Sequence, residues 1–186
     1  MELKDFTSGK SVALVGGAEN YYEPDLKEYD LVVRIKNWWV KTGGRIDALY
    51  YTGEGRGFEE LLNKLPTDLR FVILGVRNEL GSEPLVGWCQ THSVPLLVHQ
   101  VKPRRGGDDF MTGVYWLYAP ILEEVLGPYD APLAGTMCAY LVRRFGYASK
   151  LDLFGYALHK TGGSAHGHNY DLDRFVIEGL RKKKGD

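Results

Sequence analysis

The chain has 186 residues, of which 44% are hydrophobic, and its 23 basic and 24 acidic residues leave a net charge of −1. This length and composition predict a single domain spanning 1–186 with a sizeable core. The near-neutral charge argues against a stable nucleic-acid partner or binding to an anionic membrane surface. No run is apolar enough to span a bilayer and the first ten residues are too polar for a signal peptide, so we expect a cytoplasmic protein.

Strand and helix signals alternate along the whole chain. Strands are predicted at 11–15, 31–35, 48–51, 71–74, 95–98 and 151–156. Helices are predicted at 57–65, 84–90, 111–126, 136–145 and 171–183, and residues 102–110 are predicted to form a flexible loop. Alternation of this kind predicts an α/β fold with a Rossmann-like, mostly parallel sheet and helices on both of its faces.

The chain has two cysteines, Cys89 and Cys138. Each lies in an apolar stretch with no metal-ligand pattern nearby. We therefore expect both to be buried free thiols in a reducing compartment.

The first predicted strand ends in two glycines, Gly16 and Gly17. Glycines allow a sharp turn and let a phosphate or ribose approach the main-chain N–H groups. The full G-x-G-x-x-G pattern of dinucleotide-binding proteins is missing, so a plain turn at the end of a strand is the alternative interpretation.

The second predicted strand carries polar residues at its end. Asn37 is a candidate hydrogen-bond partner for a nucleotide or sugar hydroxyl. For Arg34 we favour a structural role, in which it pairs inside the fold with a carboxylate such as Asp30 or Asp47.

A histidine-bearing loop at 159–170 follows the last predicted strand, and it contains His159, His166 and His168. Open α/β sheets bind ligands outside the carboxyl ends of their strands, and an imidazole there can carry a proton near neutral pH. Three interpretations stay open: a metal site that includes Asp171, proton transfer by one histidine, and ordinary loop histidines that bond to the backbone. The spacing fits no compact zinc pattern, so no metal is expected.

Three blocks of sequence, in order, resemble the sialylmotifs of the sialyltransferases, glycosyltransferase family 29. The large motif is a strand, a glycine turn and an apolar stretch ending in arginine, and the small motif is an apolar helix followed by a strand with a glycine–aromatic turn. The terminal motif is a histidine followed five places later by an acid. The similar segments are 15–17, 29–35 and 44–47 for the large motif, 132–156 for the small motif, and His168 with Asp173 for the terminal motif.

The chain departs from the family pattern at several positions. Gly17 stands where the family has an asparagine, and Lys36 stands where it has a second one, with Asn37 next to it. Asp173 replaces the longer glutamate. The family's cysteines have no counterpart, and neither do the membrane anchor and stem of its Golgi members, so we expect a minimal type similar to bacterial or viral members.

The resemblance implies inverting transfer of a sialic-acid-like sugar from a CMP-type nucleotide donor to a hydroxyl of an acceptor glycan, protein or other molecule, without a metal or other cofactor. It makes His168 the general base. Asp173 would orient that imidazole or favour the helix N-terminus. Donor binding would fall to backbone N–H groups or side chains of Gly16, Gly17, Asn37, Gly135, Thr136, His159 and His166.

Two other functions stay open from the sequence. One is a nucleotide-binding module that transfers nothing, which the changes at Gly17 and Lys36 favour. The other is a hydrolase of nucleotide sugars or phosphoesters. A Ser-His-Asp hydrolase is not expected, because the chain has no G-x-S-x-G elbow.

Overall fold

The computed structural model describes residues 1–17, 25–36, 43–52, 58–76, 83–100, 115–118, 134–156 and 170–182. The strands in these ranges are β1 Ser11–Val15, β2 Leu31–Ile35, β3 Ala48–Thr52, β4 Phe71–Val76, β5 Leu96–Gln100, β6 Tyr115–Tyr118 and β7 Lys150–Phe154. The helices are α1 Leu3–Thr7, α2 Phe58–Lys64, α3 Glu83–Thr91, α4 Ala134–Arg144 and α5 Tyr170–Lys182, with a 3₁₀ turn at Leu26–Glu28.

The seven described strands form one sheet in the order β6-β5-β4-β3-β2-β1-β7. Every pairing is parallel. The chain advances one strand at a time from β1 to β6 and then returns to place β7 on the free side of β1. The predicted α/β, Rossmann-like parallel sheet is therefore confirmed.

Both faces of the sheet are covered, because successive side chains of a strand point to opposite sides. In β1, Val12 and Leu14 pack into the core cluster that contains residues of α1, α4 and α5. Ala13 and Val15 face the other way and contact the 3₁₀ turn through Leu26. Farther along that second face, α2 and α3 cover β3, β4 and β5. Strands buried on both faces are continuous apolar runs, which is why the sequence showed them clearly.

The two cysteines are buried free thiols, as predicted. Cys89 lies in α3 against the second face, and Cys138 lies in α4 in the larger core cluster. No helix in the described ranges has the length and apolar character needed to cross a membrane.

The helix predicted at 111–126 is wrong for Tyr115–Tyr118, which form strand β6 in register with β5. The four residues Tyr-Trp-Leu-Tyr are aromatic and apolar, a composition that favours strands, and they pair with the outer edge of β5. Periodicity alone does not distinguish a short apolar strand from part of a buried helix. The rest of that predicted helix and the loop predicted at 102–110 lie outside the described residues.

Candidate functional site

The carboxyl ends of β1 and β7 mark the place where the strand order changes direction. From β1 the chain continues to β2 on one side, whereas β7 lies on the other side and pairs Phe154 with Val15. Ligands of open α/β sheets bind at such a switch point, because the connections diverge there and leave a crevice. We therefore take this edge of the sheet as the candidate site.

Gly16 follows β1 at this edge and is enclosed by the backbone that follows β7. Its N–H donates to the carbonyl oxygen of Phe154 at 2.8 Å. A Cβ at position 16 would lie only 2.5 Å from the carbonyl oxygen of Gly155. The amide of Gly16 is thus used by the sheet, which corrects its predicted role as a donor to ligand phosphate. Gly17 keeps that role as a candidate at this turn.

Gly135, the second residue of α4, is enclosed by the side chain of Tyr156. A Cβ at position 135 would lie 2.8 Å from Cζ of that ring. The Tyr156 hydroxyl donates to the carbonyl oxygen of Gly135 at 3.3 Å. The same ring also lies beside the first turn, since a Cβ at Gly16 would be 3.3 Å from its Cδ2. One aromatic side chain therefore lies against both Gly16 and Gly135.

Tyr156 is a site residue that the sequence does not reveal. The sequence predicts a strand over 151–156, whereas β7 ends at Phe154 and Tyr156 follows Gly155, whose φ is +67°. Burial raises the pKa of the Tyr156 hydroxyl well above its usual range, with smaller contributions from Cys138 and Tyr50. The hydroxyl therefore stays protonated and can donate its hydrogen bond at all ordinary pH values.

Thr136 follows Gly135 in the first turn of α4 and is fully buried. Its Oγ1 has no hydrogen-bond partner within the described part of the chain. The first turn of a helix also has N–H groups without intrahelical partners and the positive end of the helix dipole, which together favour anions. The predicted pair Gly135 and Thr136 thus lies at a helix end suited to a phosphate or carboxylate.

Asp173 is fully buried in the first half of α5, on the side that also buries Val176 and Ile177. Asp171, two residues earlier, is exposed, and its carboxylate lies 3.6 Å from the Arg174 guanidinium. A helix dipole is satisfied by an exposed acid such as Asp171, whereas burying a carboxylate is costly without a hydrogen-bonding partner. Burial thus distinguishes Asp173 from the exposed acid that precedes it at the start of the same helix.

Arg34 is buried at the end of β2, and its Nε donates to the carbonyl oxygen of Arg45 at 2.9 Å. This contact agrees with the structural role favoured for Arg34. Of the carboxylates suggested as its partners, Asp30 accepts hydrogen bonds from the N–H and hydroxyl of Ser11, and Asp47 pairs with Arg45 at 2.7 Å.

Lys36 has a left-handed backbone conformation, with φ at +56°. Its N–H donates to the carbonyl oxygen of Tyr50 at 2.7 Å, which holds this turn against β3. Asparagine adopts this conformation more readily than lysine does. The family's asparagine at this position would therefore suit the backbone better than the lysine found here.

The other predicted site residues, Asn37, His159, His166 and His168, lie outside the described residues. Within the described ranges, no group of three or more histidine, cysteine or acidic side chains is arranged to hold a metal ion.

A cavity of about 160 Å³ lies along β7 and α5, lined by Arg143, Lys150, Leu151, Ile177 and other residues. Its lining runs along β7 from Ser149 to Leu153 and includes none of the glycines of the candidate site, nor Thr136, Tyr156 or Asp173. It is separate from the candidate site.

Comparison of the chain with protein-family models, with curated proteins and with solved structures gave no match in any of the three cases.

Proposed function

We propose that this protein is an inverting, metal-independent glycosyltransferase that moves a sialic-acid-like sugar from a CMP-type donor to an acceptor hydroxyl. The observation that carries the proposal is the contact of Tyr156 with both Gly16 and Gly135. Through it, the segments that resemble the large and small motifs of family 29 meet at one edge of the sheet. That edge is also the switch point at which α/β sheets bind nucleotides.

The donor phosphate would bind beside the Tyr156 ring, at the edge of the sheet where the turn after β1 and the start of α4 approach each other. Gly17 supplies a backbone amide on one side, and Gly135 and Thr136 supply helix-terminal amides and a buried hydroxyl on the other. Donors fixed in advance around a leaving phosphate stabilise the charge that develops in the transition state. Asn37, His159 and His166 are proposed as further donor-binding residues from the sequence.

His168 is the proposed general base, which would take the proton of the acceptor hydroxyl as it attacks the anomeric carbon. It lies five positions before Asp173, whose buried position at the start of α5 supports a role in orienting the imidazole. General-base catalysis typically contributes about 10²–10⁴ in rate.

Calorimetric titration with CMP, with and without EDTA, tests the donor class. We expect binding that EDTA does not change. CMP binding that disappears with EDTA would support a metal-dependent hydrolase, and no binding of CMP would contradict the proposed donor. Mass spectrometry with a panel of nucleotide sugars then identifies the sugar transferred, and a protein that binds CMP but transfers none of them would be a binding module.

The His168→Ala variant tests the proposed base. We expect transfer to fall by about 10²–10⁴-fold while the affinity for CMP is unchanged, because the imidazole acts on the acceptor. Transfer within a few-fold of wild type would show that another group is the base.

The Asp173→Asn variant tests the orienting role. We expect kcat to fall by about tenfold or more with little change in CMP affinity, because the amide no longer holds the imidazole in one tautomer. Asp173→Glu retains the carboxylate and restores the family's own residue, so it should recover part of the lost rate. Equal rates for the Asn variant and wild type would contradict the role.

A further inference from the structure

We infer that Tyr156 is a positioning residue of the proposed site: its ring sets the separation between the turn after β1 and the first turn of α4. The inference rests on the proposed function, since it concerns the two segments that would hold the donor. Gly16 and Gly135 then lack side chains because neighbouring protein atoms occupy that space, whereas the sequence alone suggested that the space admits a ligand.

The contacts show how closely the three segments meet. A Cβ at Gly135 would lie 2.8 Å from Cζ and 3.0 Å from the hydroxyl oxygen of Tyr156, and one at Gly16 would lie 3.3 Å from Cδ2. Real Cβ atoms are almost never found closer than 3.0 Å to such neighbours. The ring therefore lies directly against the start of α4 and close to the turn after β1, with no room for a methyl group at position 135.

The ring is also held in its orientation. Its hydroxyl donates to the carbonyl oxygen of Gly135 at 3.3 Å, and its side chain packs against the core cluster that includes Cys138 and Tyr50. With the core behind it and two backbones against it, the ring cannot turn away without leaving a void. The distance between the two backbones is therefore set by the thickness and tilt of one aromatic ring.

This distance matters for a ligand held from both sides. Amides of the turn and of the helix start must lie within about 0.5 Å of their productive positions to bind one phosphate and sugar together. A smaller side chain at position 156 would let α4 move toward β1, because protein interiors close part of a void. Such a change would leave the fold in place and alter the geometry of the site.

A double-mutant cycle tests the contact without any ligand. Gly135→Ala should clearly lower the midpoint of urea unfolding in the wild-type background, and by less than half as much in a Tyr156→Ala background, where the ring atoms are gone.

Gly179→Ala in α5 is the control, since a Cβ there meets no atom within 4 Å. Its effect should be the same in both backgrounds. If Tyr156→Ala does not fold, Tyr156→Leu replaces it, because leucine also lacks the ring atoms near Gly135. Equal losses for Gly135→Ala in both backgrounds would overturn the inference.

CMP titration tests the effect on the site. Tyr156→Phe keeps the ring and should bind CMP within about threefold of wild type, whereas Tyr156→Leu should weaken binding by about tenfold or more. Leu97→Ala is a matched core variant, because Leu97 lies in the same core cluster but on β5, four strands from β1. It should lose stability and keep its affinity for CMP.

The outcomes separate this inference from the proposed function. A wild-type protein that does not bind CMP refutes the proposed donor, and the double-mutant cycle then decides whether Tyr156 sets the spacing. If the wild-type protein binds CMP, two results would overturn the inference and leave the proposed donor standing. One is a Tyr156→Leu variant that binds CMP as tightly as wild type. The other is a Leu97→Ala variant that loses as much affinity for CMP as Tyr156→Leu does.

Discussion

The surroundings of each glycine decide what an added methyl group does. Gly16 lies between two strand ends, where a Cβ would meet the carbonyl oxygen of Gly155 at 2.5 Å. Gly87 lies inside α3, where a Cβ would meet no atom within 4 Å. Both follow apolar residues in the sequence, and only their tertiary neighbours distinguish them.

Alanine at these two positions should therefore have opposite effects on the free energy of unfolding. Gly16→Ala should destabilise the protein by about 1–3 kcal/mol, because two backbones must separate to admit the methyl group. Gly87→Ala should stabilise it by about 0.5–1 kcal/mol, because alanine loses less conformational entropy in a helix. Urea denaturation of the two variants measures both changes. Shifts in the same direction would contradict the packing described at Gly16.

Arg45 lies shortly before β3 and contacts the 3₁₀ turn that precedes β2. Its Nη1 donates to the carbonyl oxygens of Leu26 and Tyr29, at 3.0 and 2.9 Å. Its guanidinium also pairs with the carboxylate of Asp47, which in turn accepts from the N–H of Val32 at 2.8 Å. One side chain thus ties the 3₁₀ turn to the start of β3. This part of the segment resembling the large motif has a structural role.

The pair with Asp47 is bidentate, since Nε of Arg45 also donates to the other carboxylate oxygen at 3.2 Å. Arg45→Lys should lower the free energy of unfolding by about 1–2 kcal/mol, because an ammonium cannot make this bidentate pair and both carbonyl contacts together. Lys64→Ala is the comparison, since it removes an exposed pair with Glu60 that spans one helical turn. It should cost about 0.5 kcal/mol or less. Urea denaturation at one salt concentration gives both values, and equal losses would show that Arg45 acts only as a surface charge.

Two helix starts at the candidate site were predictable from sequence, and the reasons are local. Gly135 and Thr136 begin an apolar helix after a proline, and Asp173 opens an amphipathic helix, so both helix starts were visible. The role of Tyr156 was not predictable from sequence, because an aromatic residue after a glycine can either continue a strand or lie beyond its end. The use of the Gly16 amide depends on β7 lying beside β1, which is a pairing across about 140 residues of chain.

At the scale of the whole molecule, the core holds several groups that must stay neutral. Burial raises the pKa of the Cys89 thiol to about 12, and it raises the pKa of Cys138 further still. Burial also raises the pKa values of Tyr51 and Tyr156. Unfolding exposes these groups to water, where thiols lose their protons near pH 9. The stability of the fold is therefore linked to alkaline pH.

We expect the free energy of unfolding to be constant near pH 8 and to fall as the pH rises from about 9 towards 12. In that range the unfolded chain releases thiol protons that the folded protein retains, so the slope reaches about 1.4 kcal/mol per pH unit for each protected thiol. Urea denaturation under reducing conditions at pH 8, 9 and 10 measures it. A variant with Cys89→Ala and Cys138→Ala should show a smaller slope, and an unchanged slope would contradict the protection of these thiols.

The amino-acid sequence by itself determined the fold class, because strands buried on both faces must be apolar at every position and the helices between them must cover those faces. It also determined where the glycine turns and helix starts fall, since these depend on neighbouring residues. Only the tertiary structure decided that β7 lies beside β1, that Tyr115–Tyr118 form an edge strand, and that Tyr156 joins Gly16 to Gly135. Those features depend on contacts between distant segments, and an apolar run does not specify which other run it will pair with.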